Sequence, residues 1–182
     1  MTASSRWLTP LASVEERLAR ARSMCRFGTY VLGAGGFEPM TADPQSKHHA
    51  SGKLGLDCSG FLFWCWGVSR VQRDEAGAKE HLNTTSLVQD ARGKARRVEL
   101  VEHPMPGDAV VYGWYKGKAG AKRVGHVGLV VGIGGGAGSI FERLRVIHCS
   151  AGNYRAFGYA VAETGGKPFN GGRDSVFVRP LP

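Results

Sequence analysis

The residues best suited to chemistry in this sequence are one cysteine and two histidines. Cys58 lies between Asp57 and Ser59, where a loop turns into an apolar helix. Backbone N–H groups and the positive dipole end at a helix N-terminus favour a thiolate, the form of cysteine that attacks a carbonyl carbon. The same N–H groups can hold a developing oxyanion. We therefore predict Cys58 as nucleophile, with Asp57 and Ser59 as candidates for the substrate and oxyanion site, although Asp57 is more simply an N-cap residue.

A base for this nucleophile has to come from elsewhere in the chain, which contains six histidines. Residues 126–133 and 141–148 have the composition of strands and flank a glycine-rich loop. If they pair symmetrically as a hairpin, His126 lies directly opposite His148, and one ring can take the thiol proton while the other orients it. The remaining histidines are predicted to be structural or surface residues: His48, His49, His81 and His103.

The other three cysteines, Cys25, Cys65 and Cys149, are predicted to be small buried hydrophobic residues. The four cysteines form no CxxC pair and no zinc-finger spacing, so free thiols are expected and neither a zinc site nor a disulfide framework is. No cofactor is expected.

The elements that must position these residues can be located from local patterns. Ser13 and Glu16 form a capping box, and apolar residues then recur at helical spacing, which predicts a helix over about 14–27. Residues 38–55 lack any period and predict a long loop. The run CSGFLFWCWGV predicts a mostly buried helix that starts at Cys58. Strands are predicted at AVVY (109–112) and at 126–133, 141–148 and 175–179.

A helical half thus precedes a sheet half, without a linker or an internal repeat between them. This order predicts the α+β class and a single domain spanning 1–182.

Composition narrows the function classes. The chain has 182 residues with 42% hydrophobic and 21% charged residues, which is ordinary for a globular domain, and no segment approaches the ~20 apolar residues of a membrane span. The N-terminus shows no Sec-type signal. Net charge is +9, but the basic residues are scattered without interleaved aromatics, so a solvated basic face is favoured and nucleic-acid binding is not expected.

In this order, the motifs resemble the NlpC/P60 family of cysteine peptidases. The resemblance covers about 15–180 and rests on YVLGAGG, LDCSGFLFW, NTTSLVQDA, PGDAVVY, GHVGLVVGI, VIHCS and the closing FVRP. It implies a papain-like NlpC/P60 fold, in which N-terminal helices with the nucleophile helix pack on a C-terminal antiparallel sheet. It also implies Cys58 as nucleophile, His126 as general base, His148 as third polar residue and Tyr30 as the tyrosine bordering the oxyanion site.

The function implied by this resemblance is hydrolysis of amide bonds in peptidoglycan stem peptides, with the peptide as partner. We expect synthesis in the cytoplasm and action on the cell wall after non-Sec export or phage lysis. An inhibitory immunity protein would be a further partner if the chain is a secreted effector. Two alternatives stay open: an acyltransferase on the same scaffold, and a non-catalytic cell-wall-binding or phage tail module.

Overall fold

An antiparallel sheet organises the chain, which the computed structural model shows to be of mixed α+β architecture. The structure describes residues 7, 9–26, 28–33, 55–73, 77–93, 97–116, 122–170 and 174–182. Its α-helices are α1 (Val14–Ser23), α2 (Cys58–Trp66), α3 (Thr84–Arg92), α4 (Ile140–Arg143) and α5 (Ala151–Phe157). Its strands are β1 (Val71–Arg73), β2 (Lys79–His81), β3 (Val98–Leu100), β4 (Ala109–Tyr112), β5 (Tyr115–Lys116), β6 (Lys122–Arg123), β7 (His126–Ile133), β8 (Leu144–Cys149), β9 (Val161–Gly165) and β10 (Val176–Pro180).

The main sheet has six strands in the order β3-β10-β4-β7-β8-β9, and all neighbours in it are antiparallel. Alternate residues of β7 belong to different apolar clusters, as expected for a strand buried on both faces. Val127 and Leu129 pack in one cluster with residues of α2, whereas Val130 packs in a second cluster with Phe169. The α2 helix therefore lies against one face of the sheet.

The α2 helix forms because its ends are well capped and its surface is apolar all round. Asp57 caps the N-terminus by accepting a hydrogen bond from the Gly60 N–H. Gly67 ends the helix at φ 77°, a left-handed conformation that favours glycine. Phe61, Trp66 and their apolar neighbours in the helix are buried. The predicted buried helix is confirmed.

The α1 helix has the predicted capping box of Ser13 and Glu16, but it ends at Ser23 and not near residue 27. Arg26 adopts φ 68°, outside helical space, and its N–H donates to the Val161 carbonyl at 2.9 Å. This contact with β9 thus ends the helix before residue 27, and no local sequence pattern predicts the contact.

Of the four predicted strands, two are confirmed, one is shifted by one residue and one is wrong at its start. The AVVY strand and the strand at residues 126–133 are found with the predicted bounds, and the last strand is shifted by one residue to Val176–Pro180. The predicted strand 141–148 is wrong at its start, because α4 occupies Ile140–Arg143 and the strand runs over Leu144–Cys149. Ser139 caps α4 with a capping box that includes Glu142, which explains the local helix.

Along the chain, β1, β2 and α3 lie between α2 and β3, in a segment for which the sequence predicted no helix or strand. Apart from Gly55, the predicted loop 38–55 lies outside the described residues, as do His48 and His49. Within the part of the chain that is described, no helix is long and apolar enough to cross a membrane.

Candidate active site

Cys58 is the first residue of α2, and its side chain is buried beneath the sheet, with 5% of the residue exposed. The backbone N–H groups of Val127 and Ser59 are among the groups that act on the Cys58 thiol, so both lie close to its sulfur. Because Val127 directly follows His126, α2 lies against the start of β7. The two residues predicted as nucleophile and base therefore belong to neighbouring segments.

The electrostatics of Cys58 differ from the expectation of a thiolate at rest. Burial and, to a smaller extent, the Asp57 carboxylate raise the pKa of the thiol to about 12, although the Val127 and Ser59 N–H groups and the Arg70 guanidinium act to lower it. Desolvation thus outweighs the helix N-terminus here. The thiol is neutral at rest, so any nucleophilic attack needs a base that removes the proton during the reaction.

The two predicted histidines lie together. His126 Nε2 is 2.8 Å from His148 Nδ1, and the two rings are nearly perpendicular, at 83°. On its other side, His148 Nε2 is 2.9 Å from Thr164 Oγ1. A hydrogen-bonded chain therefore runs from the start of β7 through β8 to β9.

The predicted register of this pair is wrong, although the rings still meet. Leu129 pairs with Ile147 and Val130 with Val146, so continuing the ladder places His148 opposite Gly128 and not opposite His126. A shift of two residues keeps both histidines on the same face, whereas a shift of one would have separated them. The rings meet diagonally across the strands.

Gly128 makes room for this diagonal contact. A Cβ atom at that position would collide with Val146 Cγ1 and would lie only 3.0 Å from His148 Cβ and 3.1 Å from Phe169 Cζ. The second glycine of the GHVG motif is thus required by the packing around the histidine pair.

The hydrogen-bond network assigns the tautomers of both rings. Thr164 Oγ1 donates its only proton to the Gly165 carbonyl at 3.1 Å, so it accepts from Nε2–H of His148. Burial lowers the pKa of His148 to about 4, which keeps this ring neutral, and its Nδ1 then accepts from Nε2–H of His126. In its neutral form His126 carries its lone pair on Nδ1. Nδ1 of His126 is therefore the atom that can accept a proton.

Aromatic packing holds the His126 ring in this orientation. The Phe169 ring stacks on it at a centroid distance of 5.2 Å and an interplanar angle of 12°. Tyr112, the Cα partner of His126 in β4, packs beside it at 6.2 Å. These contacts fix the ring plane and shield one of its faces from water.

Asp57 and Ser59 take part in a buried network with Arg70. Arg70 Nη1 lies 3.2 Å from each Asp57 carboxylate oxygen, and its Nη2 donates to Ser59 Oγ at 2.8 Å. Ser59 Oγ donates in turn to Asp57 Oδ1 at 3.0 Å. The N-cap role of Asp57 is found, whereas the substrate-binding role of the two residues stays a prediction.

Tyr30 lies close to the candidate nucleophile. It forms an isolated parallel bridge with Leu56, two residues before Cys58. Burial and the nearby Cys58 and Asp57 groups raise the pKa of its phenol above the usual value. The hydroxyl therefore stays protonated at neutral pH and can donate a hydrogen bond.

The remaining described candidates are two histidines and three cysteines. His103 is exposed on the loop before β4, and His81 ends β2. All four cysteines are free; Cys65 and Cys149 are buried and Cys25 is half-buried. Among the described residues, no group of three or more His, Cys, Asp or Glu side chains could hold a metal ion.

Sequence reasoning missed Arg70, Thr164 and Phe169. Arg70 falls in a charged segment that resembles any solvated surface, and Thr164 and Phe169 fall in a stretch for which no element was predicted. No local pattern marks them, because each acts through contacts with distant parts of the chain.

A cleft of about 150 Å³ opens at the Tyr112 end of β4. It is lined by Thr85, Val88, Gln89, Arg92, Tyr112, Gly113, Trp114, Tyr115 and Asp174. Tyr112 both lines this cleft and packs beside the His126 ring, whereas Cys58, His126 and His148 do not line it.

No family model matches the chain, and no curated protein matches it either.

Proposed function

We propose that this protein is a cysteine peptidase or amidase of the NlpC/P60 type, with a papain-like fold, that hydrolyses amide bonds in peptidoglycan stem peptides. The observation that carries the proposal is the hydrogen-bonded chain from His126 through His148 to Thr164, beside a helix N-terminal cysteine that the Val127 N–H contacts. The family motifs in the sequence support the substrate class.

In this proposal, His126 Nδ1 takes the Cys58 proton as the sulfur attacks an amide carbonyl. The resulting imidazolium is stabilised through Nε2–H by His148 Nδ1, which is available because the low pKa of His148 keeps that ring neutral. His126 then returns the proton to the leaving amine, and an acyl-enzyme remains. Water, activated by the same ring, hydrolyses the acyl-enzyme and restores the thiol.

The oxyanion would be held near the α2 N-terminus and the Tyr30 hydroxyl. A helix N-terminus directs backbone N–H groups at a developing negative charge. The raised pKa of Tyr30 keeps it a donor throughout the reaction.

The test is incubation with purified peptidoglycan, followed by mass analysis of the released fragments. We expect fragments with new amino and carboxyl ends, and none from Cys58→Ala. Cys65→Ala, which removes a buried thiol from the same helix, is the control and should retain activity. Equal activity of Cys58→Ala and the unsubstituted protein would refute the nucleophile. Fragments joined to an added amine would instead favour the acyltransferase.

A further inference from the structure

Arg70 is a buried cation beside the candidate nucleophile, and the proposed triad does not use it. The residue is 2% exposed, and its ion pair with Asp57 is almost fully shielded from solvent, with side-chain exposures of 3% and 5%. Its Nη2 also donates to Ser59 Oγ, so the guanidinium spans the two residues on either side of Cys58. A buried arginine in this position is costly unless its charge is matched.

The matching charge is an ionised Asp57. Besides Arg70, its carboxylate accepts hydrogen bonds from the Gly60 N–H at 2.7 Å, the Gly33 N–H at 2.9 Å and the Ser59 hydroxyl at 3.0 Å. These donors, together with Arg70, satisfy the lone pairs of the carboxylate beside the sulfur.

A negative charge next to the sulfur opposes formation of a second one. The Asp57 carboxylate raises the pKa of the Cys58 thiol, and the Arg70 charge lowers it. Other titratable groups around the sulfur are Tyr30 and Cys149, whose own pKa values are raised first by burial and then by the neighbouring Cys58 and Asp57. His126 directly precedes Val127, whose backbone N–H lies close to the sulfur.

We propose that Arg70 is a positioning residue for Cys58: it cancels the Asp57 charge beside the sulfur and fixes the turn on which Cys58 stands, so that the thiol can release its proton. The role rests on the proposed function only in that Cys58 is the nucleophile. Arg70 itself touches neither substrate nor reacting atoms; it acts through Asp57 and Ser59.

The experiment measures the rate at which iodoacetamide alkylates Cys58, followed by mass analysis of the peptide from about pH 6 to about pH 10, because the thiolate is the reacting form. In Arg70→Met the charge of Asp57 is uncompensated, which should raise the pKa of the thiol by about one to three units. Since nucleophilicity rises partly with pKa, alkylation at a fixed pH below the pKa should slow by about 3- to 40-fold.

A double variant separates charge from structure. Asp57→Asn combined with Arg70→Met removes both charges and keeps a good N-cap residue, so its alkylation rate should return to within about twofold of the unsubstituted protein. If Arg70 merely held the helix end in place, its loss would open the site, and alkylation of Arg70→Met would be as fast as before or faster. That result, or a double variant as slow as Arg70→Met, would overturn the inference.

Arg97 provides the matched control. It is also buried and forms an ion pair with Glu80 at 2.7 Å, next to the β1–β2 hairpin. Arg97→Met should leave the alkylation rate of Cys58 unchanged, and an equal slowing would show that the effect is not specific to Arg70. If Arg70→Met does not fold, Asp57→Asn alone decides: it should alkylate faster than the unsubstituted protein, and an unchanged or slower rate refutes the proposal.

This assay contains no peptidoglycan, so it fails independently of the proposed function. Rescue by the double variant without any release of peptidoglycan fragments would refute the substrate and leave the role of Arg70 standing. Release of fragments without a change in the alkylation rate of Arg70→Met would refute the role of Arg70 and leave the proposed substrate standing.

Discussion

Mild acid should destabilise this protein through His148. The residue is 2% exposed, and burial lowers its pKa from 6.5 to about 4. Between these values the folded protein keeps the ring neutral while the unfolded chain binds a proton. The stability that depends on the neutral ring is therefore fully present above about pH 6.5 and is lost as the pH falls toward 4. Relative to about pH 7.5, linkage gives a loss of about 1 kcal/mol at pH 5.5 and about 2–3 kcal/mol at pH 4.5.

The assay is urea unfolding of the unsubstituted protein and of His148→Asn over this pH range. Asparagine does not titrate here, and its amide oxygen can accept the His126 N–H in place of Nδ1. Other groups that titrate in the same window contribute to both proteins and cancel in the comparison. The pH dependence of the free energy of unfolding should therefore be shallower in His148→Asn by the amounts given above.

His103→Asn is the control, because His103 is exposed on a loop. Its stability should follow the pH dependence of the unsubstituted protein. If His148→Asn lost as much stability in acid as the unsubstituted protein, a neutral buried His148 would be refuted, and with it the tautomer assignment that places the lone pair of His126 on Nδ1.

Three further experiments test the site. His126→Gln should lower kcat/KM more than His148→Gln, because only His126 exchanges a proton with the thiol. General-base catalysis is worth roughly 10²- to 10⁴-fold. A larger loss in His148→Gln would show that His148, and not His126, is the base. Thr164→Val should lower kcat roughly tenfold or more with KM little changed, because it removes the acceptor that sets the tautomer of His148; an unchanged kcat would contradict this assignment. Gly128→Ala should lower the free energy of unfolding by roughly 1–3 kcal/mol through overpacking. Gly132→Ala on the same strand, where an added Cβ would have its nearest neighbour at 3.8 Å, should be close to neutral in a urea titration, and equal losses would show that the crowding is not local to the histidines.

The pairing register of the two strands that carry the histidines could not be predicted from the sequence. The residues and their shared face were predicted, but the register was wrong by two positions. The chain enters β8 through α4, and a bulge shifts the pairing between Val130 and Gly132. A glycine-rich connection does not fix register, because several turn geometries fit the same residues.

Local patterns were sufficient for three elements around the candidate site. The start of α1, the buried α2 with Asp57 as its cap, and β7 with its predicted bounds could all be identified from a few adjacent residues. Caps and hydrophobic periodicity act over one or two turns, so the information lies within a short window. The sequence alone therefore determined the α+β class and Cys58 at a helix N-terminus.

Only the tertiary structure decided the surroundings of that cysteine. The ion pair of Arg70 with Asp57, the Thr164 hydroxyl on His148 and the Phe169 ring on His126 each join distant segments. Their energies depend on burial and on distances of a few ångströms, which no short window of residues contains. For the same reason, the sequence suggested a thiolate at rest, whereas burial in the folded protein keeps the Cys58 thiol protonated until a base removes its proton.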